Sequence, residues 1–255
     1  MRYALLTDIH GRELSNFIDE MQEFDPDVLI CLGDFDQVPT IHQYLDYKER
    51  LEAQGKTVIT LPGNHDHCIL NDIEMYSPTL SDQRKQYWEL RDELRQDPRA
   101  LEFISSLFER EREFPLRESI QLVPGVVGEN FNTILMHGAI KGSCVDDVEE
   151  EVTDLWNRLE WVGHSYPNHR AMEQLGLDVM IRGHDHRPTY DTFLDREGKR
   201  YTPHPGDKFV LVGGMAHIIT IGAYFDGWYA TIDTQFQEKD LLILSYHNVD
   251  TGDNQ

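Results

Sequence analysis

Three short apolar runs in the N-terminal part of the chain constrain its fold most strongly. They cover residues 3–7, 28–32 and 57–61, and polar residues follow each run at once. Residues 12–24 and 38–54 lie between the runs and carry apolar side chains three and four positions apart, as helices that cover a sheet do. Continuous apolar runs separated by such helices are typical of parallel strands buried on both faces. The pattern predicts an α/β fold that begins with a βαβαβ unit.

Side chains able to bind metals or carry protons stand where these runs stop. In chain order the three ends are Asp8-Ile9-His10, Gly33-Asp34 and Gly63-Asn64-His65-Asp66. We expect the third motif to form a tight loop after its strand, because Pro62 and Gly63 stop the strand. The carboxyl ends of parallel strands meet at one edge, where open α/β sheets bind ligands. Each motif alone fits an ordinary turn or a helix cap, but three in succession predict a shared polar site.

Two later apolar runs end in the same way. Residues 132–136 stop at His137-Gly138, and residues 178–182 stop at Gly183-His184-Asp185-His186. Because side chains two apart in an extended segment point to the same side, we expect His184 and His186 to face one site together. Beyond residue 188 the helical pattern does not return. The runs that follow predict antiparallel strands in hairpins; they cover residues 189–194, 209–212, 218–222, 228–232 and 241–246.

A charged segment from about residue 70 to residue 116 interrupts this alternation. Residues 81–113 interleave Arg, Glu and Gln with Leu, Phe and Trp, which predicts amphipathic helices. They would form a helical insertion that caps the polar edge, or equally a plain peripheral helical pair. We therefore expect residues 1–255 to be a single domain that carries this insertion.

The composition argues against several classes of function. Lys and Arg number 23 against 46 Asp and Glu, a formal net charge of −23, which repels phosphate backbones and argues against a general nucleic-acid surface. The charge also suits solubility or a salty cytoplasm. The sequence shows neither a long apolar span nor a basic-then-apolar leader, so we expect a cytoplasmic protein that does not enter a membrane. Three cysteines without CxxC spacing argue against a disulfide framework or a thiolate zinc site.

Taken together and in order, the strand ends resemble the motifs of the calcineurin-like metallophosphoesterase superfamily. The motifs are Asp8-x-His10, Gly33-Asp34, Gly63-Asn64-His65-Asp66, His137-Gly138 and Gly183-His184-x-His186. The resemblance implies a four-layer α/β sandwich, in which two mixed sheets are flanked by helices, with a dinuclear metal centre where the sheet ends meet. It implies two ligand sets that Asp34 bridges: Asp8, His10 and His186 for one metal, and Asn64, His137 and His184 for the other.

Nitrogen and oxygen ligands without thiolate suit two divalent metal ions, with Mn²⁺ as the first expectation and Fe or Zn²⁺ as alternatives. The resemblance implies that His65 donates a proton to the leaving group, and we expect Asp66 to orient or tune it. Arg12, His67 and Arg187 are further candidates for contacts with substrate phosphate. A surface salt bridge fits either arginine equally well.

The implied activity is hydrolysis of phosphomonoesters or phosphodiesters by a hydroxide bound to two metals, and the acidic surface favours small or nucleotide-like substrates. A metal-dependent nuclease is the alternative, against which the charge argues. A non-catalytic scaffold on the same fold is a second alternative, against which the complete ligand set argues. The chain departs from protein Ser/Thr phosphatases, which carry an Arg after the Gly-Asp pair and a Glu after the Asn-His pair. Because Asp36 stands one position earlier than a Gly-Asp-x-x-Asp motif requires, we expect no supporting role for it.

Overall fold

The computed structural model describes residues 1–71, 81–113, 121–124, 131–140, 162–194, 197–234 and 241–250. Strands and helices alternate first: β1 Arg2–Leu6, α1 Ser15–Phe24, β2 Val28–Cys31, α2 Val38–Ala53, β3 Thr57–Thr60 and α3 Asn64–Asn71. The middle part contains α4 Ser81–Gln96, α5 Pro98–Glu113, β4 Gln121–Pro124, β5 Asn132–Met136, α6 Val162–Leu175 and β6 Val179–Arg182. Strands dominate the rest: β7 Thr189–Leu194, β8 Glu197–Tyr201, β9 Lys208–Val212, β10 Ala216–Thr220, the 3-10 turn Tyr224–Asp226, β11 Trp228–Asp233 and β12 Leu241–Asn248.

The strands form two mixed sheets. One sheet has the order β3-β2-β1-β11-β12-β9 and the other β4-β5-β6-β10-β7-β8. In the first sheet β1, β2 and β3 run parallel, as predicted, and β11 closes antiparallel against β1. In the second sheet β10 pairs antiparallel with β7 but parallel with β6. The C-terminal strands therefore complete both sheets instead of forming hairpins throughout.

Alternation along β1 shows how the layers pack. Tyr3 and Leu5 face a buried cluster that also contains Leu135 and Ile181 of the second sheet, so this cluster lies between the sheets. Ala4 and Leu6 belong to another cluster, shared with the helices on the outer side of the first sheet. A third cluster, which includes Met172 of α6, covers the second sheet. The result is the predicted sandwich of two sheets flanked by helices.

The helical segment packs on the first sheet's own helices. Helix α5 contacts α2, α3 and α4, and the ring centroid of Phe103 lies 5.2 Å from that of Phe35 and 5.8 Å from that of Tyr44. Residues 81–96 and 98–113 are helical, as predicted, while 72–80 and 114–116 of the expected insertion lie outside the described residues. Treating the whole chain as a single domain stays a prediction.

Two helices, α1 and α3, begin at positions different from those that the sequence predicts. Helix α1 begins at Ser15, because Arg12 closes a turn onto the Ile9 carbonyl and the chain enters the helix only after Leu14. The Asn64 motif, expected as a loop, is the first turn of α3. Strand β3 ends at Thr60, and the N–H and carbonyl of Gly63 already bond to Asp66 and His67, so the helix begins directly after Gly63.

Candidate metal centre

The ends of β1, β2 and β6 share an uncommon backbone conformation. Each end is followed by two residues, two positions apart, with positive φ: Asp8 (50°) and His10 (45°), Asp34 (63°) and Asp36 (60°), and His184 (69°) and His186 (59°). Asp and His tolerate this left-handed region better than most residues, yet each instance costs of order 1–3 kcal/mol. Strain concentrated at three neighbouring strand ends marks this edge as a functional site.

Close backbone packing holds the three strand ends together. Asp8 N–H donates to the Gly33 carbonyl at 3.0 Å, and His184 N–H donates to Asp8 Oδ2 at 2.9 Å. A Cβ atom on Gly63 would lie 2.0 Å from Asp34 Oδ1, and one on Gly183 would lie 2.0 Å from a neighbouring threonine hydroxyl. Glycine is therefore required at both positions, because any side chain would push the polar residues apart.

One group of ligand atoms comes from Asp8, His10 and His186. His10 Nε2 lies 3.1 Å from His186 Nε2, and Asp8 Oδ1 lies 3.4 Å from His186 Nε2 and 3.9 Å from His10 Nε2. Asp8 is fully buried, whereas the side chain of His186 is 44% exposed. This group is therefore open to solvent on the His186 side.

A second group surrounds Asn64. Its Oδ1 lies 2.9 Å from His137 Nε2 and 2.8 Å from His184 Nδ1. Asp34 Oδ2 lies 3.2 Å from His137 Nε2 and 3.7 Å from His10 Nε2, so it stands between the two groups. His137 Nδ1 donates to a buried backbone carbonyl at 2.6 Å, which turns Nε2 toward the site. The structure thus brings together all seven residues predicted as metal ligands.

His184 and His186 join different groups, as the family resemblance implies, although side chains two apart in an extended segment would point to the same side. The segment is not extended, because both residues have positive φ. Their rings diverge as a result: the ring of His184 lies against Asn64 and that of His186 against Asp8.

The donor set fits divalent cations. Asp8 Oδ1 and Asp34 Oδ2 are buried and accept no well-aligned hydrogen bond in the described part of the chain; their nearest nitrogen atoms are those of His186, at 3.4 Å, and His137, at 3.2 Å. Buried carboxylate oxygens normally have partners, and a bound cation provides one. Burial lowers the pKa of His137, but Asp34 and Asp8 outweigh burial and raise it to about 9. Burial and the neighbouring His137 lower the pKa of His184 to about 3, so this ring is neutral and offers a lone pair to a metal.

Asp36 is a site residue that sequence reasoning missed and argued against. Its Oδ1 accepts a hydrogen bond from His65 Nδ1 at 2.9 Å, and its Oδ2 accepts one from His10 Nδ1 at 2.8 Å. Burial lowers the pKa of His65, but Asp34 and Asp36 outweigh burial and raise it to about 10. Asp34 and Asp36 are two positions apart, as are Asp8 and His10 and also His184 and His186. This repeated spacing is the sequence signal that would have identified Asp36.

The sequence predicts that Asp66 orients or tunes His65; its hydrogen bonds go to backbone groups and not to the His65 ring, while its charge contributes to the raised pKa of His65. Its carboxylate accepts hydrogen bonds from the backbone N–H groups of Asp34 and Gly63 at 2.8 Å each, and from that of Phe35 at 3.1 Å. These bonds point the carboxylate toward the backbone that joins the second and third strand ends. Asp66 therefore positions this corner, and Asp36 is the partner of the His65 ring.

The three candidates for substrate contacts lie in different surroundings. Arg12 forms an ion pair with Asp250 and donates to the Phe225 carbonyl at 2.9 Å, so its guanidinium is engaged at the rim. The ring of His67 lies 5.7 Å from that of Phe108 on α5, and burial lowers its pKa. Arg187 is exposed directly after His186.

Comparisons with known proteins show the family and the fold of the chain. A family model of calcineurin-like phosphoesterases matches residues 1–188, the part that carries every predicted motif. The chain belongs to the calcineurin-like phosphoesterase family. A metallophosphoesterase from Sphaerobacter thermophilus has a similar structure, with a TM-score of 0.61, 17% identity, and coverage of 97% of this chain and 88% of that chain.

A hypothetical protein from Pyrococcus horikoshii OT3 is also similar, with a TM-score of 0.55, 11% identity, and coverage of 98% of this chain and 91% of that chain. At such identities the likeness shows the fold alone. No curated protein matches the chain.

Membership in this family supports a metal-dependent phosphoesterase in general terms, a hydrolase that acts on phosphate esters. The Asp and His clusters at the strand ends are able to hold a metal ion. Among the described residues, no helix is long and apolar enough to cross a bilayer.

Proposed function

We propose that this protein hydrolyses phosphomonoesters or phosphodiesters of small or nucleotide-like molecules with the help of two divalent cations. The observation that carries the proposal is the convergence of three strained strand ends on two buried carboxylate oxygens that accept no well-aligned hydrogen bond from the described residues. Backbone strain and burial of two carboxylates are both costly, and histidine rings at 3.2 Å or more are the nearest basic groups to these oxygens in the described part of the chain. Strained backbone and buried carboxylates at the same edge of the sheets therefore favour a cation-binding site there.

The two ligand groups would hold one cation each. Asp8, His10 and His186 would hold the first, and the group around Asn64, with His137 and His184, would hold the second. Asp34 stands between the groups and would contact both cations. When bound, such a pair of cations supplies an activated water and neutralises the charge of the phosphoryl oxygens. Mn²⁺ is the proposed ion, with Fe or Zn²⁺ as alternatives, because imidazole, amide and carboxylate ligands suit all three.

His65 is the proposed proton donor to the leaving group. Its ring lies beside His10, with centroids 4.5 Å apart, but belongs to neither group just assigned. The hydrogen bond from Nδ1 to Asp36 fixes the ring and leaves Nε2 for the substrate. Asp36 accepts from His10 as well, so one carboxylate sets the orientation of a proposed ligand and of the proposed acid together.

A substrate panel tests the proposal. The metal-free protein is supplied with Mn²⁺ and offered p-nitrophenyl phosphate, bis(p-nitrophenyl) phosphate, an alkyl phosphate and single-stranded DNA. We expect hydrolysis of a small ester that stops when a chelator is added. Preferential cleavage of DNA would instead support the nuclease alternative. Hydrolysis that survives the chelator would contradict the proposal, and so would the absence of any hydrolysis.

The His65→Ala variant tests the proton donor. We expect it to keep its bound Mn²⁺ and to lose about 10²- to 10⁴-fold in turnover, the usual contribution of a general acid. The loss should be larger for the alkyl phosphate, whose leaving group needs the proton more than p-nitrophenolate does. His204→Ala, which removes an exposed histidine before β9, is the matched control. Turnover of the alkyl ester by His65→Ala at the control's rate would defeat the assignment.

A further inference from the structure

An exposed aromatic ring stands at the rim of the metal centre. Phe225 lies in the 3-10 turn Tyr224–Asp226, and 55% of its surface is exposed. Its ring centroid is 6.2 Å from that of His10, and the two planes meet at 81°. The ring of His186, which lies on the solvent-exposed side of the first ligand group, has its centroid 4.9 Å from that of His10. Phe225 therefore presents an apolar surface beside a group of polar ligand atoms.

The turn that carries Phe225 is fastened to the first strand end. Tyr224 N–H donates to the Thr7 carbonyl at 2.9 Å, and Phe225 N–H donates to the Asp8 carbonyl at 3.1 Å. The guanidinium of Arg12 donates to the Phe225 carbonyl at 2.9 Å and lies 5.3 Å from the centroid of the Tyr224 ring. Since Asp8 also supplies a proposed ligand atom, the fold sets the distance between this ring and the cation site.

The two neighbouring aromatic residues in this turn differ in burial. The Tyr224 ring is fully buried and packs edge-to-face on Phe17, with centroids 5.7 Å apart. The Phe225 ring points outward instead. The other large exposed apolar side chains in the described part of the chain lie elsewhere, namely Met1, Leu175, Leu194, Tyr201, Val210 and Val212. An anchored, exposed ring beside the proposed catalytic centre is suited to contact the substrate.

We propose that Phe225 is a stacking platform that makes the site selective for phosphoesters bearing an aromatic ring, either an aryl group or a nucleobase. The inference rests on the proposed function. A bound phosphate would lie at the ligand groups, and a ring attached to it directly or through a sugar would extend over the rim. Stacking on an aromatic side chain uses only the π-face of the ring. The platform would therefore accept any base and disfavour aliphatic esters.

Substitutions at Phe225 separate stacking from general packing. Phe225→Leu keeps an apolar side chain but removes the π-face, while Phe225→Trp enlarges the π-face. Leu194→Ala, at the far end of β7, is the control for loss of an exposed apolar side chain. Metal content and melting temperature are measured for every variant, so that misfolding is recognised.

The substrates are matched pairs that differ in aromaticity. The monoester pairs are adenosine 5′-monophosphate with ribose 5-phosphate, and phenyl phosphate with cyclohexyl phosphate; diphenyl and dicyclohexyl phosphate are the diester pair. Stacking is worth about 1–3 kcal/mol per ring, so Phe225→Leu should lower kcat/KM about 5- to 150-fold for the aromatic members. The aliphatic members should be unaffected, and Phe225→Trp should retain the aromatic preference. Equal losses in both members of a pair would overturn the platform.

Binding of phosphonates separates this inference from the proposed function. Phenylphosphonate and methylphosphonate cannot be hydrolysed at their carbon–phosphorus bonds, and calorimetry measures their binding to the Mn²⁺-loaded protein. We expect Phe225→Leu to weaken phenylphosphonate binding and to leave methylphosphonate binding unchanged. If this pattern holds but no ester is hydrolysed, the proposed function fails and the platform stands. If esters are hydrolysed while wild-type protein binds the two phosphonates equally, the platform fails alone.

Discussion

Replacing Asp36 with asparagine tests how the candidate site is held together. The Asp36 carboxylate accepts hydrogen bonds from His10 at 2.8 Å and from His65 at 2.9 Å, and only 14% of its side chain is exposed. Asparagine has nearly the same shape but offers one accepting oxygen and a donating NH₂ group. One histidine therefore keeps an acceptor, and the other faces a donor.

The expected magnitude follows from the bond that is lost. A hydrogen bond to a charged group contributes about 1.5–3 kcal/mol, and about 1.4 kcal/mol corresponds to a tenfold change. Losing one such bond predicts a fall of about 10- to 100-fold, which matches the usual effect of removing a residue that orients metal ligands. If His10 loses its partner, Mn²⁺ affinity falls; if His65 loses its partner, turnover falls while affinity holds.

Two assays on one preparation separate these outcomes. Mn²⁺ affinity is measured by calorimetric titration of the metal-free protein, and turnover is measured with the ester that the wild type prefers. Asp46→Asn is the matched control, since it makes the same change of charge on α2 at a carboxylate that is 69% exposed and paired with Arg99. If Asp36→Asn matches this control in both affinity and turnover, the bridging role of Asp36 is wrong.

Two further predictions concern stability. Burial lowers the pKa of His217, whose ring accepts a hydrogen bond from the Tyr190 hydroxyl and contacts the Val212 backbone. Below about pH 6.5 this histidine therefore binds a proton in the unfolded chain before it does so in the folded chain. Lowering the pH below this value should therefore lower the melting temperature of the wild type more than that of His217→Gln; equal pH dependence in the two proteins would contradict the assignment. A net charge of −23 predicts that screening stabilises the fold. Melting temperature should rise with NaCl from about 0.1 M to about 1 M, and a fall would refute the self-repulsion argument.

The strand ends were predictable because their signal is local. An apolar run followed by glycine and a polar residue fixes both a strand and the side chain at its end, and this held for Asp34 and His137. Resemblance to a known family then added the order of the motifs. The βαβαβ start and the two-sheet sandwich followed from these features.

The rest depended on tertiary contacts. The left-handed backbone at His184 and His186 arises where the β6 end packs on Asp8, so the assumption of an extended segment failed. Asp66 is tied to backbone groups of another strand end, and Asp36 reaches two histidines that are distant in sequence. Neither set of partners can be read from neighbouring residues. The parallel pairing of β10 with β6 likewise joins segments that local patterns treat separately.

Titration of the metal-free protein with Mn²⁺, with bound metal and ester hydrolysis followed in the same samples, tests the central claim most directly. We expect binding of two ions per chain and hydrolysis that rises and saturates together with the second ion. Binding of two ions without hydrolysis of any mono- or diester would contradict the proposed activity. Failure of the protein to bind Mn²⁺, Fe²⁺ or Zn²⁺ would contradict the metal centre itself.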